Sequence, residues 1–193
     1  MQGDVLALGA VGLLALAGAR RRGSRSLEES RLTMQGLLRL RDVLAALRAL
    51  HWSHWTTHWM VSGASFYGDH LLFERLYTDP LTEEIDGTAE RIVGYANPQW
   101  AKLHLDAGSV MEASAKWIKR WSKESCPIKR ALLAERDTQE AIAAAYKHLK
   151  GSDQITLGLD DWLMGLASAH DTNIYLLQQR EGTCGCPAHR YTS

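Results

Sequence analysis

His58, His70, Glu74, Asp86 and Glu90 carry imidazole or carboxylate donors along one stretch of this 193-residue chain. Imidazole combined with carboxylate suits iron, zinc or manganese, so these residue types point to metal chemistry before any fold is assumed. His70 and Glu74 stand at i and i+4, as do Asp86 and Glu90, which puts each pair on one face of a helix. Whether the pairs can meet depends on the elements that carry them.

Across residues 33–62, Leu37, Leu40, Leu44 and Leu47 recur every three or four positions. The stripe continues through His51, His54 and His58, which predicts a long amphipathic helix. Ser62-Gly63-Ala64-Ser65 interrupts it. A second periodic segment then runs from Phe66 through Leu71, Phe73, Leu76 and Tyr77 to Ile85, Ala89, Ile92 and Val93, so the two fold back as a helical hairpin. His58 lies five residues before Gly63 and His70 seven after it, which sets them at roughly one height. The step from His70 to Asp86 covers roughly 24 Å of continuous helix, too far for both pairs to reach one ion within a subunit. A second copy running antiparallel across a twofold axis brings them together, because an isologous interface sets residue i against j and j against i.

The run His58-Trp59-Met60-Val61-Ser62-Gly63-Ala64-Ser65-Phe66, then His70 and Glu74, then Asp86-Gly87-Thr88-Ala89-Glu90-Arg91, resembles the signature of the Dps-type mini-ferritins (DNA-binding proteins from starved cells), H-W-x3-G-x2-F-x3-H-x3-D followed by D-x2-A-E-R. The match is strong over the first half of a ferritin-like bundle. Over the second half it is loose, through Leu159, Asp160 and the pair His170-Asp171. The resemblance implies an all-α, ferritin-like four-helix bundle with a short extra helix between its second and third helices. It also implies a dodecameric shell of twofold dimers with ferroxidase sites at the dimer interfaces. His58, His70 and Glu74 would come from one subunit, and Asp86 and Glu90 from its partner. Iron, cycling between Fe2+ and Fe3+, would be oxidised there by peroxide or dioxygen and stored inside as ferric mineral, which protects against oxidative damage. Trp59 looks like the family's tryptophan beside the site, which intercepts one-electron oxidants.

The chain departs from the signature in two places. Glu74 stands where the family has Asp, one methylene longer with the same charge. The stretch from Glu74 to Asp86 is one residue longer than the family spacing and contains Thr78-Asp79-Pro80. Proline breaks or kinks a helix interior, whereas Asp79 would cap a restarted helix with Pro80 in its first turn. One added residue rotates the downstream helix by about 100 degrees unless a bulge absorbs it, and this touches Asp86 and Glu90. The alternative reading is therefore a Dps-like shell without ferroxidase activity, acting as a DNA-compacting or membrane-associated structural protein.

His51 and His54, on the apolar stripe, are expected as hydrogen-bonded core residues, with an accessory metal position or a proton path as the other option. Trp52 and Trp55 recur at helical spacing and are expected to pack.

The length fits one domain, and 46% hydrophobic residues supply a core of bundle size. Asn97-Pro98 begins a connection, residues 107–122 form the short extra helix, and Pro127 starts an alanine-rich helix over residues 128–150. Gly151-Ser152-Asp153 ends it, and a last helix covers residues 154–179, five helices in all, with residues 27–181 as the bundle. Diiron bundles that hold their site within one core use E-x-x-H pairs, and the lack of one favours an intersubunit site. The chain also lacks a phosphate-binding glycine loop, a G-x-S-x-G elbow and a C-x-x-C pair. Nucleotide, hydrolase and thiol-redox classes therefore have no support.

Residues 1–26 are an extension of a different kind. The uncharged apolar run at residues 5–19 would span about 22 Å as a helix, short of a hydrocarbon core, and its positive charges follow rather than precede it, unlike a signal peptide. A short membrane anchor and a buried or self-associating extension both fit. Arg20, Arg21, Arg22 and Arg25 resemble in position the basic tails through which some Dps-type proteins hold DNA, a non-specific, salt-sensitive attachment. The zero net charge of the chain speaks against DNA as the main partner. Three cysteines, Cys126, Cys184 and Cys186, give an odd count that suits a reducing, cytoplasmic compartment. In the tail, residues 182–193, Cys184, Cys186 and His189 either hold a soft metal or belong to a disordered end.

Overall fold

Thr33 starts the first helix, its hydroxyl accepting from the Gly36 amide and so satisfying one of the donors that a helix start leaves open. In this computed structural model, which describes residues 32–182 and all their side chains but those of Asp79 and Pro80, the helix α1 spans Met34–Met60. Its stripe Leu37, Leu40, Leu44, Leu47, Leu50 and His54 is buried as the periodicity requires. Gly63 turns the chain at φ 88°, a left-handed conformation that suits glycine, and α2 (Phe66–Tyr77) runs back along α1.

Thr78 adopts an extended backbone between α2 and α3 (Asp79–Tyr95). The N-cap position is thus Thr78 and not Asp79, and Pro80 falls in the first turn of α3, where a missing N–H costs nothing. The break is contained: the Thr78 amide still reaches the Glu74 carbonyl at 3.2 Å, and the Leu81 amide reaches the Thr78 carbonyl at 3.1 Å.

Asn97 caps not a simple connection but a further short helix, α4 (Pro98–His104). Asp106 caps α5 (Ala107–Trp121) through the Gly108 and Ser109 amides. The last two are α6 (Pro127–Gly151) and α7 (Leu157–Gly182). Seven helices and no strand are therefore present among the described residues. The two beyond the expected five come from the break at Thr78 and from α4.

Four columns, α1, the pair α2 and α3, α6, and α7, form a helical bundle in which α1 packs against α2, α3, α5 and α6, and α6 packs against α7. Two ionic contacts pin it. Arg120 and the Trp121 indole both bond Asp137, tying α5 to α6, and Arg180 grips Asp69 through two nitrogens, tying α7 to α2.

The apolar interior falls into two clusters. The larger contains Leu47, Leu50, Ile92, Ile142, Leu149 and Leu163, and the smaller Val61, Phe73, Leu76, Ile128, Leu132 and Leu177. Along α1 the passage from Leu50 to Val61 crosses His54, and along α7 the passage from Leu166 to Leu177 crosses His170. On α6, Glu135 stands at the same boundary.

Candidate metal centre

His58 lies in the last turn of α1 and His70 one turn into α2, and the turn at Gly63 lays their rings face to face, centroids 3.7 Å apart and 27° from parallel. Each ring also reaches the other residue's backbone. His58 Nδ1 lies 3.0 Å from the His70 carbonyl, and His70 Nδ1 lies 3.3 Å from the His58 carbonyl. A carbonyl only accepts, so both Nδ1 atoms donate and Nε2 is the nitrogen of each ring left to a metal, the orientation that a metal-ligating histidine needs. Phe66 lies against His70 with centroids 5.1 Å apart, and Tyr77 meets His58 edge-on at 5.2 Å.

Glu74 follows one turn after His70 on α2, with its side chain exposed. Asp86 and Glu90 are exposed on α3, whose buried side is Leu81, Ile85, Thr88 and Ile92. What fixes that rotation is Trp162 of α7. Its ring lies so close to Gly87 that a Cβ there would stand 2.5 Å from it. Its indole N–H donates to Thr88 Oγ1 at 3.2 Å, and the Arg91 guanidinium covers its ring at 3.7 Å. Three residues of the Asp86-to-Arg91 run thus seat one tryptophan, and the two acids face away from it.

Among the described residues no group of three or more His, Cys, Asp or Glu side chains of one chain is arranged to hold a metal ion. Trp59 is 57% exposed, in edge contact with Trp55 at 5.1 Å and Trp52 at 6.3 Å. Trp52 packs edge-on against Trp55 at 5.5 Å as expected, but at the surface, since it is itself 49% exposed. Its indole belongs to an exposed aromatic face at the α1–α2 corner. His51 is half-buried, in ring contact with Trp55 and Tyr77.

Sequence reasoning missed an ionic layer inside the bundle. Glu135, fully buried on α6, accepts from His54 Nε2 at 3.0 Å, from His170 Nδ1 at 2.6 Å and from Asn173 at 3.3 Å. Burial alone would raise its carboxyl; the hydrogen bonds from His170 and His54, and their charges, outweigh this and hold it at about 2. His170 is likewise pushed down by burial, but the Glu135 hydrogen bond and charge win and its pKa is raised. Glu84 on α3 faces the other edge of the His170 ring, Oε2 lying 3.5 Å from Nε2. Burial lifts Glu84 to about 7, opposed by His170 and assisted by the charge of Glu135. His54 is thus the hydrogen-bonded core residue expected. The lack of an E-x-x-H pair did not leave the core free of ligand-type residues, because the four columns supply one each. The signal existed: Ile128, Leu132, Glu135, Ile142 and Leu149 share one stripe, as do Leu159, Leu163, Leu166 and His170.

Arg20, Arg21, Arg22, Arg25 and the apolar run at residues 5–19, like Cys184, Cys186 and His189, lie outside the described residues. No helix among those described is long and apolar enough to cross a membrane.

No protein-family profile matches the sequence, and no curated protein does. Solved structures do match. Dps from Thermosynechococcus elongatus superposes with a TM-score of 0.60 at 18% identity, over 80% of this chain and 92% of that one. DpsC from Streptomyces coelicolor gives 0.59 at 21% identity, over 78% and 87%. Dps from Microbacterium arborescens in the high iron form gives 0.60 at 18%, over 83% and 97%. The chain therefore has the fold of the Dps-type mini-ferritins, a ferritin-like helical bundle.

Proposed function

We propose that the protein is an iron-oxidising and iron-storing mini-ferritin whose site is completed by a second copy of the chain. The observation that carries this reading is the stacked pair His58 and His70, each ring locked by its Nδ1 hydrogen bond so that Nε2 is the free donor. Fe2+ is the substrate. His58, His70 and Glu74 supply two nitrogens and a carboxylate from one protomer, and Asp86 and Glu90 of the partner subunit supply the rest. Each Fe2+ gives up one electron; a peroxide accepts two and, with two protons, leaves as water. Carboxylates favour Fe3+ over Fe2+, which draws the oxidation forward. Trp59, next in sequence to the first ligand, would give an electron to a stray radical before it diffuses.

The exposed face at the same corner supports a homo-oligomer. Trp59, Met60, Phe66, Tyr67 and Leu71 are all more than two-fifths exposed, an apolar area that a second subunit would cover. A dodecamer built from such dimers is the assembly this reading adopts.

The test is Fe2+ oxidation by the full chain under peroxide and, separately, dioxygen. His58→Ala with His70→Ala is expected to slow it by about 100-fold, while the helical circular dichroism stays at the parent level. Oxidation at the parent rate in the double variant would remove the site. A parent protein that assembles but never oxidises iron would instead be the structural shell, acting through DNA or membrane attachment.

A further inference from the structure

We infer that each subunit carries a second metal site in its own interior, in which Glu84 and His170 Nε2 bind one divalent first-row transition cation at the floor of a side pocket. The inference does not rest on the His58 and His70 pair, and it uses neither of them.

The first support is orientation. His170 Nδ1 lies 2.6 Å from Glu135 Oε2, so that edge of the ring is committed to a buried carboxylate. This carboxylate–histidine pairing is the arrangement that orients a metal-binding imidazole. The opposite edge, Nε2, is buried and has no hydrogen-bond partner among the described residues. It is aimed at Glu84, whose Oε2 at 3.5 Å is beyond a good hydrogen bond.

The second support is distance. Two donors at about 2.1 Å from one ion in tetrahedral geometry are about 3.4 Å apart. The Glu84 to His170 separation matches that of two neighbouring ligands on a common ion better than it matches a hydrogen bond.

The third support is access and charge. The His170 side chain is fully buried and that of Glu84 is 15% exposed, so the pair is reached through Glu84. A pocket of about 530 Å³ opens there, with Glu83 and Asp161 among its walls. A dication is drawn to these acids and offsets two carboxylates, Glu84 and Glu135, on either side of one imidazole. No third His, Cys, Asp or Glu closes on the pair among the described residues. The remaining positions therefore fall to water from the pocket, an open, exchangeable site rather than a closed structural cage.

Co2+ is a suitable probe, because its visible bands report nitrogen and oxygen ligation, while thiolate charge-transfer bands report separately any binding by cysteines. The full chain carrying His58→Ala and His70→Ala is expected to bind about one Co2+ per subunit without thiolate bands. Adding Glu84→Gln, which keeps the shape, should weaken this binding at least about tenfold, whereas Glu83→Gln, which removes an equal charge from the pocket wall, should change it less than about twofold. Circular dichroism should not differ between the two. Absence of Co2+ bands in the His58→Ala, His70→Ala background, or equal losses from Glu84→Gln and Glu83→Gln, would overturn the site. Neither result bears on iron oxidation by the intact chain.

Discussion

A histidine becomes useful to a metal when something else decides which of its nitrogens holds the proton, and in this chain that decision is made twice by different partners. At the surface, two backbone carbonyls settle it for His58 and His70. Inside, a buried carboxylate settles it for one edge of His170. The interior also sets the pH response. Glu84, raised from 4.5 to about 7, contributes stability that is full below pH 4.5 and is lost as pH rises through 7. His170, also raised, acts in the same direction, its contribution full below 6.5 and lost as pH climbs through its folded value. Glu135, lowered to about 2, contributes above pH 4.5 and loses that contribution as pH falls toward 2. With a chelator present, the melting temperature is expected to peak near the pH 4.5 that these values share and to decline toward pH 8. Glu84→Gln should flatten the alkaline decline, worth about 3 kcal/mol. A parent protein equally stable at pH 5 and pH 8 would contradict this. The meeting of His58 and His70 was legible because their spacing about Gly63 sets them at one height. Glu135 was not, because one acid among the charged residues of α6 looks like a solvated position until its stripe is traced through Leu132 and Ile142.

At the scale of elements, spacing foretold the long first helix, the turn at Gly63 and the start at Pro127, since each rests on a local rule of periodicity, φ or proline chemistry. The short α4 escaped because seven residues carry too little periodicity to register. The start of α7 lies later than the spacing suggests, as Thr156 takes the Leu159 amide on its hydroxyl at 3.2 Å and delays the first turn to Leu157. Rotation of α3 after the added residue was not legible either, because a distant tryptophan sets it. Gly87→Ala is therefore expected to cost about 1–3 kcal/mol by overpacking against Trp162. Because the same contact aims Asp86 and Glu90, the variant should also oxidise Fe2+ more slowly than its loss of stability explains. Calorimetry and initial rates at a temperature where both proteins are folded would separate the two effects; an unchanged melting temperature would contradict the packing argument.

For the molecule as a whole, the proposed function makes the exposed corner of α1 and α2 a link between assembly and chemistry. Met60 and Tyr67 are 62% and 75% exposed, and neither is a proposed ligand. Met60→Glu with Tyr67→Glu is expected to reduce the mass measured by light scattering to that of a single chain and to abolish rapid iron oxidation, although every proposed ligand remains. A double variant that stayed assembled, or a monomer that still oxidised iron at the parent rate, would sever that coupling.

Two apolar lobes separated by a charged seam also behave differently from one continuous lobe when a helix slides. A leucine stripe looks nearly the same after a shift of one turn, about 5.4 Å, so apolar packing alone distinguishes poorly between neighbouring alignments. Glu135 does not have that tolerance: displaced by a turn, it would be an ionised acid in a dry interior with His54, His170 and Asn173 out of reach. The seam thus acts as a registration key for three helices at once. Replacing Glu135, His54 and His170 together by leucine is expected to yield a bundle that resists heat as well as the parent or better, yet unfolds over a broader range and binds a hydrophobic dye. A sharp transition without dye binding would mean that the alignment is held elsewhere.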